Sequence, residues 1–367
     1  MTSQFKYIAA FTALSTALYA TNGDHLIGLG AKARGMGGVG IAMSHGAESA
    51  LANPAMIALV KSTEISFGGT MFMPNVEANG ENSKADISVI PEISIASNLG
   101  NGFYTGIGMW GTAGMGVDYR DTGKNDNMVT NLQLMQFGVP LVYQTGSFSI
   151  GITPLLQYGA LDINYLSSTT KGAAQDLAFG YNTGIAYTLS DLTIGAVYKS
   201  PIKMHYSGQI SAFTSDYGLS GIGDDLEQPE EIGAGIAYKM GLHEIAVDYK
   251  RINWSKAIGY KDFGWNNQDV CAFGYEYNKN NWALRAGYNY AKSPIQNNAN
   301  ATINQLNLIG FPAIITSHYT VGGSYAFNKK ISFDGAYVYA PEKSETLSGV
   351  TTKHTQSSIS AQLTINF

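Results

Sequence analysis

The sequence predicts an all-β protein, a 14-stranded antiparallel transmembrane β-barrel with a small, partly helical N-terminal hatch plugging its lumen. Three observations carry that expectation. Apolar and polar residues alternate with a period of two along many short segments. Tight turns alternate with long polar links, as in outer-membrane barrels. The 367 residues include 43 Gly and 23 Tyr but only 13% charged residues, which fits poorly with ordinary globular cores.

Residues 1–20 read as a signal peptide: one cation, Lys6, precedes the apolar run from Tyr7 to Ala20. The mature chain is expected to start near Thr21, and with no Cys close by, a lipid anchor is not expected. No later run of 18 apolar residues could form a spanning helix, so export should end beyond the inner membrane. A formal net charge of -5 argues against a nucleic-acid partner. The single Cys271 excludes an internal disulfide and shares a strand face with Phe273 and Tyr275, as a small buried or lipid-facing group.

Residues 21–63 break the strand pattern. They are rich in small residues, and about forty of them precede the first strand, enough to fold back as a hatch in a lumen this wide. Residues 64–367 form the barrel. Along it, Leu192, Ile194, Ala196 and Tyr198 oppose Thr193, Gly195 and Lys199, and Trp282, Leu284, Ala286, Tyr288 and Tyr290 oppose Arg285, Gly287 and Asn289. The apolar set should meet lipid and the small or charged set the lumen, with Tyr and Trp at the interfaces. Turns at Thr145–Ser147, Ser190–Asp191, Met240–Gly241, Asn278–Asn280 and Asn328–Lys330 alternate with links near 74–85, 111–130, 160–175, 207–229, 253–266, 293–315 and 341–355. The even strand count puts both barrel ends in the periplasm. From Ile359 to Phe367 the alternation is unbroken, and a terminal strand ending in Phe367 is what the barrel assembly machinery reads.

Several residues invite chemical readings. Gly35-Met-Gly-Gly-Val-Gly40 satisfies a dinucleotide-binding spacing, but no strand leads into it and no βαβ unit follows, so no cofactor is expected. Its glycines Gly35, Gly37, Gly38 and Gly40 are read as allowing close packing against the barrel wall. The six His lack metal-ligand spacing, so no metal is expected. No nucleophile elbow is present, so no catalytic residue is assigned.

Lys199, Glu244, Asp248, Lys250, Glu276, Arg285 and Asp334 fall on the lumenal face. They read as a bracing ladder, with Lys199, Lys250 and Arg285 as candidate contacts to a ligand carboxylate. Pro91, Pro140 and Pro154 sit inside strands although Pro cannot donate to a ladder, and residues 103–116 carry five glycines, among them Gly106, Gly108 and Gly111. These irregularities predict either plain bulges or an inward kink that opens a gap near Pro91, Gly106, Gly108 and Gly111. The segment 306–315 is unusually apolar for an outer loop. Leu308, Ile309, Phe311 and Ile314 are expected either to form a landing site or to fold into the mouth.

With those residues in view, the chain resembles the FadL family of outer-membrane transporters for long-chain fatty acids and other hydrophobic compounds. Residues 28–40 and Asn53, Pro54 and Ala55 are similar to its hatch signature, and Ile252–Trp254, Gly264–Asp269, Leu284–Pro294 and Asp334–Tyr339 to its later strands. His45-Gly46, Leu51-Ala52 and Met56 depart from the family's acidic, aromatic and glycine positions around Asn-Pro-Ala. The resemblance implies a 14-stranded barrel, a hatch, a lateral opening at a kinked strand, and passive uptake of a hydrophobic ligand. The expected surroundings are outer-membrane lipid and lipopolysaccharide, and a monomer is expected. The rivals are a polar diffusion porin, an outer-membrane hydrolase and a surface adhesin.

Overall fold

A computed structural model of the chain describes residues 22–166 and 172–367. The segment read as a signal peptide lies outside the described residues. From residue 22 the chain first makes short helical pieces, α1 (Gly30–Gly35) and α2 (Ser49–Ala52), the latter followed by a 3-10 turn over Pro54–Leu59.

Fourteen strands follow: β1 Thr63–Ala78, β2 Ser88–Gly100, β3 Phe103–Asp118, β4 in two pieces (Val129–Gly138 and Leu141–Thr145), β5 Phe148–Asn164, β6 Ala174–Leu189 and β7 Leu192–Lys199. The second half is β8 Glu231–Met240, β9 His243–Ile252, β10 Gln268–Lys279, β11 Trp282–Ala291, β12 Ser317–Ala326, β13 Ile331–Leu347 and β14 Val350–Asn366. Each pairs antiparallel with the next. β14 returns to β1 in register from Glu64↔Asn366 to Ala78↔Thr352, which closes the sheet into a barrel.

The alternation decides which side faces out. On β14, Ser358, Ser360, Gln362 and Thr364 are buried toward the lumen while Ile359 is exposed. The exposed apolar residues include Phe67, Ile107, Phe179, Val247, Phe273 and Tyr337, spread around the wall. In water such a surface would aggregate; in a bilayer it is the solvated face. No helix among the described residues is long and apolar enough to cross a membrane.

The short turns gather at one end, where Ser62 also hydrogen-bonds the backbone of Phe367. Long links gather at the other, carrying helices α3 (Ile210–Asp216) and α4 (Ala301–Gly310) and a ribbon that pairs Ile202–His205 with Asp225–Gln228. Their side chains form one apolar cluster containing Phe213, Trp254, Phe263, Trp265, Leu306 and Leu308.

The strands run further than their hydrophobic pattern indicated. β1 continues to Ala78, β3 to Asp118, and 341–355, read as a link, is a β-hairpin turning at Ser348 and Gly349. Above the bilayer both strand faces can be polar, so Lys343 to Thr352 carries no apolar alternation although its two arms pair with each other.

Candidate functional site

The hatch lies inside the barrel and touches its wall on opposite sides: α1 packs on β11 to β14 and β1, and the Pro54 turn on β5 and β6. The glycines of 35–40 allow this approach. Gly37 has φ +69°, and a Cβ there would come within 2.7 Å of the backbone oxygens of Phe273 and Tyr288. Gly38 has φ +84°, and a side chain would run into Ile27. Gly35 meets Gly322 of β12 backbone to backbone, and a Cβ on Gly40 would press on Ala52 at 3.2 Å.

Asn53 is fully buried and fastens two hatch segments and the wall together. Its Nδ2 donates to the Ile41 oxygen at 2.6 Å and the Ile185 oxygen at 3.2 Å, while its Oδ1 caps the next turn by accepting from Ala55 N at 3.0 Å. Pro54 starts that turn, where its missing N–H costs nothing. Gly184 and Gly195 leave room for the amide. Asp248 of β9 accepts from Gly40 N and Ile41 N at 2.7 and 2.9 Å. Arg34, 2% exposed, sits 3.6 Å from Glu92, which also accepts from Gly30 N at 2.6 Å. His45 is buried, donates to the Val39 oxygen at 2.7 Å, and burial pulls its pKa down to about 4.

The wall is irregular along β3. Its pairing with β2 stops at Glu92↔Trp110, so Ser88 to Pro91 of β2 keep only their β1 partners. Beyond that point β3 bulges between Gly111 and Ala113 against β4, and Ala113 to Val117 are buried on both faces. The strand has bent into the lumen, where a segment of the hatch replaces the lost neighbour. Leu26 N donates to Thr112 O at 3.2 Å, Gly114 N donates to Asp24 O at 3.0 Å, and His25 bridges Ala113. Ile90, buried with Leu26 and Phe72, fills the space beside the bend, so that a Cβ on Gly111 would meet its Cγ2 at 2.5 Å.

Outer loops hold the same hatch segment. Tyr260 donates to the Asp24 carboxylate, as does Gln228 Nε2 at 2.9 Å. Gln228 Oε1 is 2.7 Å from His25 Nε2, and Trp254 stacks on His25 with centroids 5.1 Å apart. Burial raises the Asp24 pKa, which the neighbouring His25 and these donors oppose.

Two internal cavities flank this segment. The outer one, about 30 Å³, lies under the loop cluster against Met115, Leu132, Tyr260, Phe263, Trp265 and Phe311. The inner one, about 80 Å³, is bounded by Leu26, Ile27, Leu155, Lys199 and Lys250. One water needs about 10–15 Å³ of such space, so each cavity has room for a few waters, and a long ligand needs side chains or the hatch to move.

Of the three candidate carboxylate contacts, the fold brings two together. Lys199 Nζ lies 3.4 Å from Glu231, whose carboxylate is also 3.3 Å from His25 Nδ1, and Lys250 lines the same cavity. Two ammonium groups thus lie beside two carboxylates, those of Glu231 and Asp248. Arg285 stands elsewhere, paired with Glu276 at 2.6 Å and Asp334 at 3.5 Å, as a brace. The segment 306–315 is not an exposed surface: α4 is folded into the mouth, with Thr352 donating to Leu308 O at 2.8 Å and Thr130 to Gly310 O at 2.6 Å. Leu308 and Ile314 are fully buried and Ile309 is half-buried, leaving Phe311 as the one of the four on the outer cavity. Asp24, Gln228 and Tyr260 were not singled out by sequence reasoning, because Asp24 meets the other two across more than two hundred residues of sequence.

A closed, outward-apolar barrel with an internal hatch defines an outer-membrane channel protein. Residues 25–366 match the family of outer membrane protein transport proteins (OMPP1/FadL/TodX), and the chain belongs to that family. It is 22% identical to a 47 kDa outer membrane protein of Pasteurella multocida, across 84% of this chain and 86% of the relative. Its fold is similar to the toluene transporter TbuX of Ralstonia pickettii, with TM-score 0.73, 18% identity and coverage of 93% and 98% of the two chains. It is also similar to the toluene transporter TodX of Pseudomonas putida, with TM-score 0.70, 19% identity and coverage of 95% and 100%.

Proposed function

We propose that this outer-membrane protein takes up hydrophobic molecules passively, and that they leave sideways through its wall. The carrying observation is that β3 abandons β2 above Trp110 and is completed by residues 24–26 of the hatch. Withdrawing that segment joins the inner cavity to the gap bounded by Pro91, Ile90 and Gly111. An apolar solute gains about 0.8 kcal/mol for each CH₂ buried, so an apolar route past the polar lipopolysaccharide needs no energy source. The toluene transporters among its structural neighbours fit the same solute class. Lys199 and Lys250, both on the inner cavity, are the cations that a long-chain carboxylate would meet there. We further propose a monomer in outer-membrane lipid, assembled through the strand that ends at Phe367.

The test is uptake and binding of radiolabelled oleate by cells that lack other carriers for it. Uptake that depends on the protein, with bound oleate in the purified material, is the expected result. Steady, large single-channel conductance from the purified protein, or no binding of oleate, hexadecane or toluene, would overturn the reading.

A further inference from the structure

A second irregularity in the wall lies nearer the short-turn end, between β3 and β4. The pairs Gly108↔Gly138 and Thr105↔Leu141 are both in register, yet the two positions between them, Gly106–Ile107 opposite Val139–Pro140, are not bridged. Pro140 has no N–H to give to β3, and Val139 N keeps its in-register partner on the other side, Pro154 O of β5, at 3.4 Å. Thr105 Oγ1 takes up the Pro140 oxygen at 2.9 Å. The break is therefore stable in hydrocarbon with few backbone groups left orphaned.

On the lipid side this break opens into an apolar groove of about 720 Å³ bounded by Ile107, Val139, Ile152 and Phe179. The groove also reaches Gly108, Gly138 and Leu155, whose positions in the alternation point into the lumen. Leu155 bounds the inner cavity as well, so it forms part of the barrier between that cavity and the lipid face. Trp110 completes the barrier. Its buried ring covers Gly108, and a Cβ on Gly138 would be 3.2 Å from its Cζ3 and 2.8 Å from Leu155 Cδ2. The indole hangs on a single tether, Nε1 to Ser94 Oγ at 2.8 Å.

We propose that the break at Gly106–Ile107 and Val139–Pro140 is a second lateral gate, closed by Trp110 and Leu155, through which a hydrophobic ligand passes from the inner cavity into the lipid-facing groove. This rests on the uptake reading above but is distinct from the gap beside Pro91: the hatch segment 24–26 covers that one, while Trp110 and Leu155, clustered with Ala50, Leu51 and Ile57 of the hatch, cover this one. The ring occupies the space that glycines at 108 and 138 leave free and shares an apolar cluster with Ala50, Leu51 and Ile57 of the hatch, so opening needs the indole to leave its serine tether and that cluster.

The test is a reversible staple. With Cys271 replaced by Ala, Ile107→Cys and Val139→Cys stand opposite each other on the lipid face of the unbridged positions. The gate predicts that oxidation lowers oleate uptake severalfold, that reductant restores it in the same cells, and that oleate binding to the purified protein does not change. Trp110→Ala should raise the uptake rate, and Trp110→Phe, which keeps a ring but loses the tether to Ser94, should raise it less. Equal uptake from the oxidised and reduced staple, with Trp110→Ala unchanged in rate, overturns the gate. Absence of oleate uptake and binding in the unstapled parent instead overturns the transport reading itself.

Discussion

Tyr260 touches two compartments at once: its ring bounds the outer cavity and its hydroxyl donates to the carboxylate of Asp24 on the hatch. Because Asp24 also supplies the backbone oxygen that holds Gly114 of the bent strand, anything that displaces Tyr260 is felt at the wall. Tyr260→Phe removes one donor from a buried carboxylate, at a cost of about 1–3 kcal/mol to the docking of the segment. Hydrogen exchange should then quicken at the amides of Leu26 and Gly114 and stay unchanged on β13 and β14.

Asn53→Ala strips the Ile41 and Ile185 oxygens of their side-chain donor and the Ala55 turn of its cap. The loss should weaken hatch docking by about 2–4 kcal/mol. Limited proteolysis is expected to cleave between α1 and the Pro54 turn in the variant and not in the parent, while the barrel remains resistant in detergent.

Gly111→Leu fills the gap between β2 and β3, where even a Cβ comes within 2.5 Å of Ile90. Paired with Ile90→Ala to relieve the crowding, it should reduce oleate uptake with little change in oleate affinity. Uptake kinetics and equilibrium binding on the same preparation check it.

Acid should loosen the hatch through His45. Its folded pKa is about 4 against an ordinary 6.5, so below 6.5 an undocked hatch binds a proton that the docked one refuses. Docking is thus at full strength above 6.5 and weakens by about 1.4 kcal/mol per pH unit as pH falls toward 4. Asp24 and Glu48, both raised by burial, act with the opposite sign, strengthening docking as they protonate. The His45 share is the difference between the parent and His45→Gln in hatch proteolysis at about pH 7.5 and about pH 5, with the variant less sensitive to acid.

Much of this architecture is written in short-range pattern. The alternation through Ile359 to Phe367 announces both face and strand, and the glycines at 35–40 announce close packing, because each depends on neighbours within a few residues. Strand extensions such as Lys343–Thr352 were invisible because water satisfies both their faces. The site was legible only in part. Pro91, Gly108 and Gly111 flagged irregular wall, yet nothing local in Asn22–Leu26 says that it will pair with Thr112 and Gly114, and nothing in Arg285 says that Glu276 and Asp334 will claim it. Those facts arise from closure of the barrel, which brings together positions set by register.

The borrowed strand has a thermodynamic consequence. Since Thr112 O and Gly114 N find their partners on the hatch, undocking residues 24–26 leaves wall groups orphaned in a place where each unmet one costs several kcal/mol. Opening at β3 and release of the hatch segment therefore share one free energy. A solute that lends neither donor nor acceptor can stabilise the open state only through the apolar area it covers, so the length of its hydrocarbon chain should set how often that wall stands open.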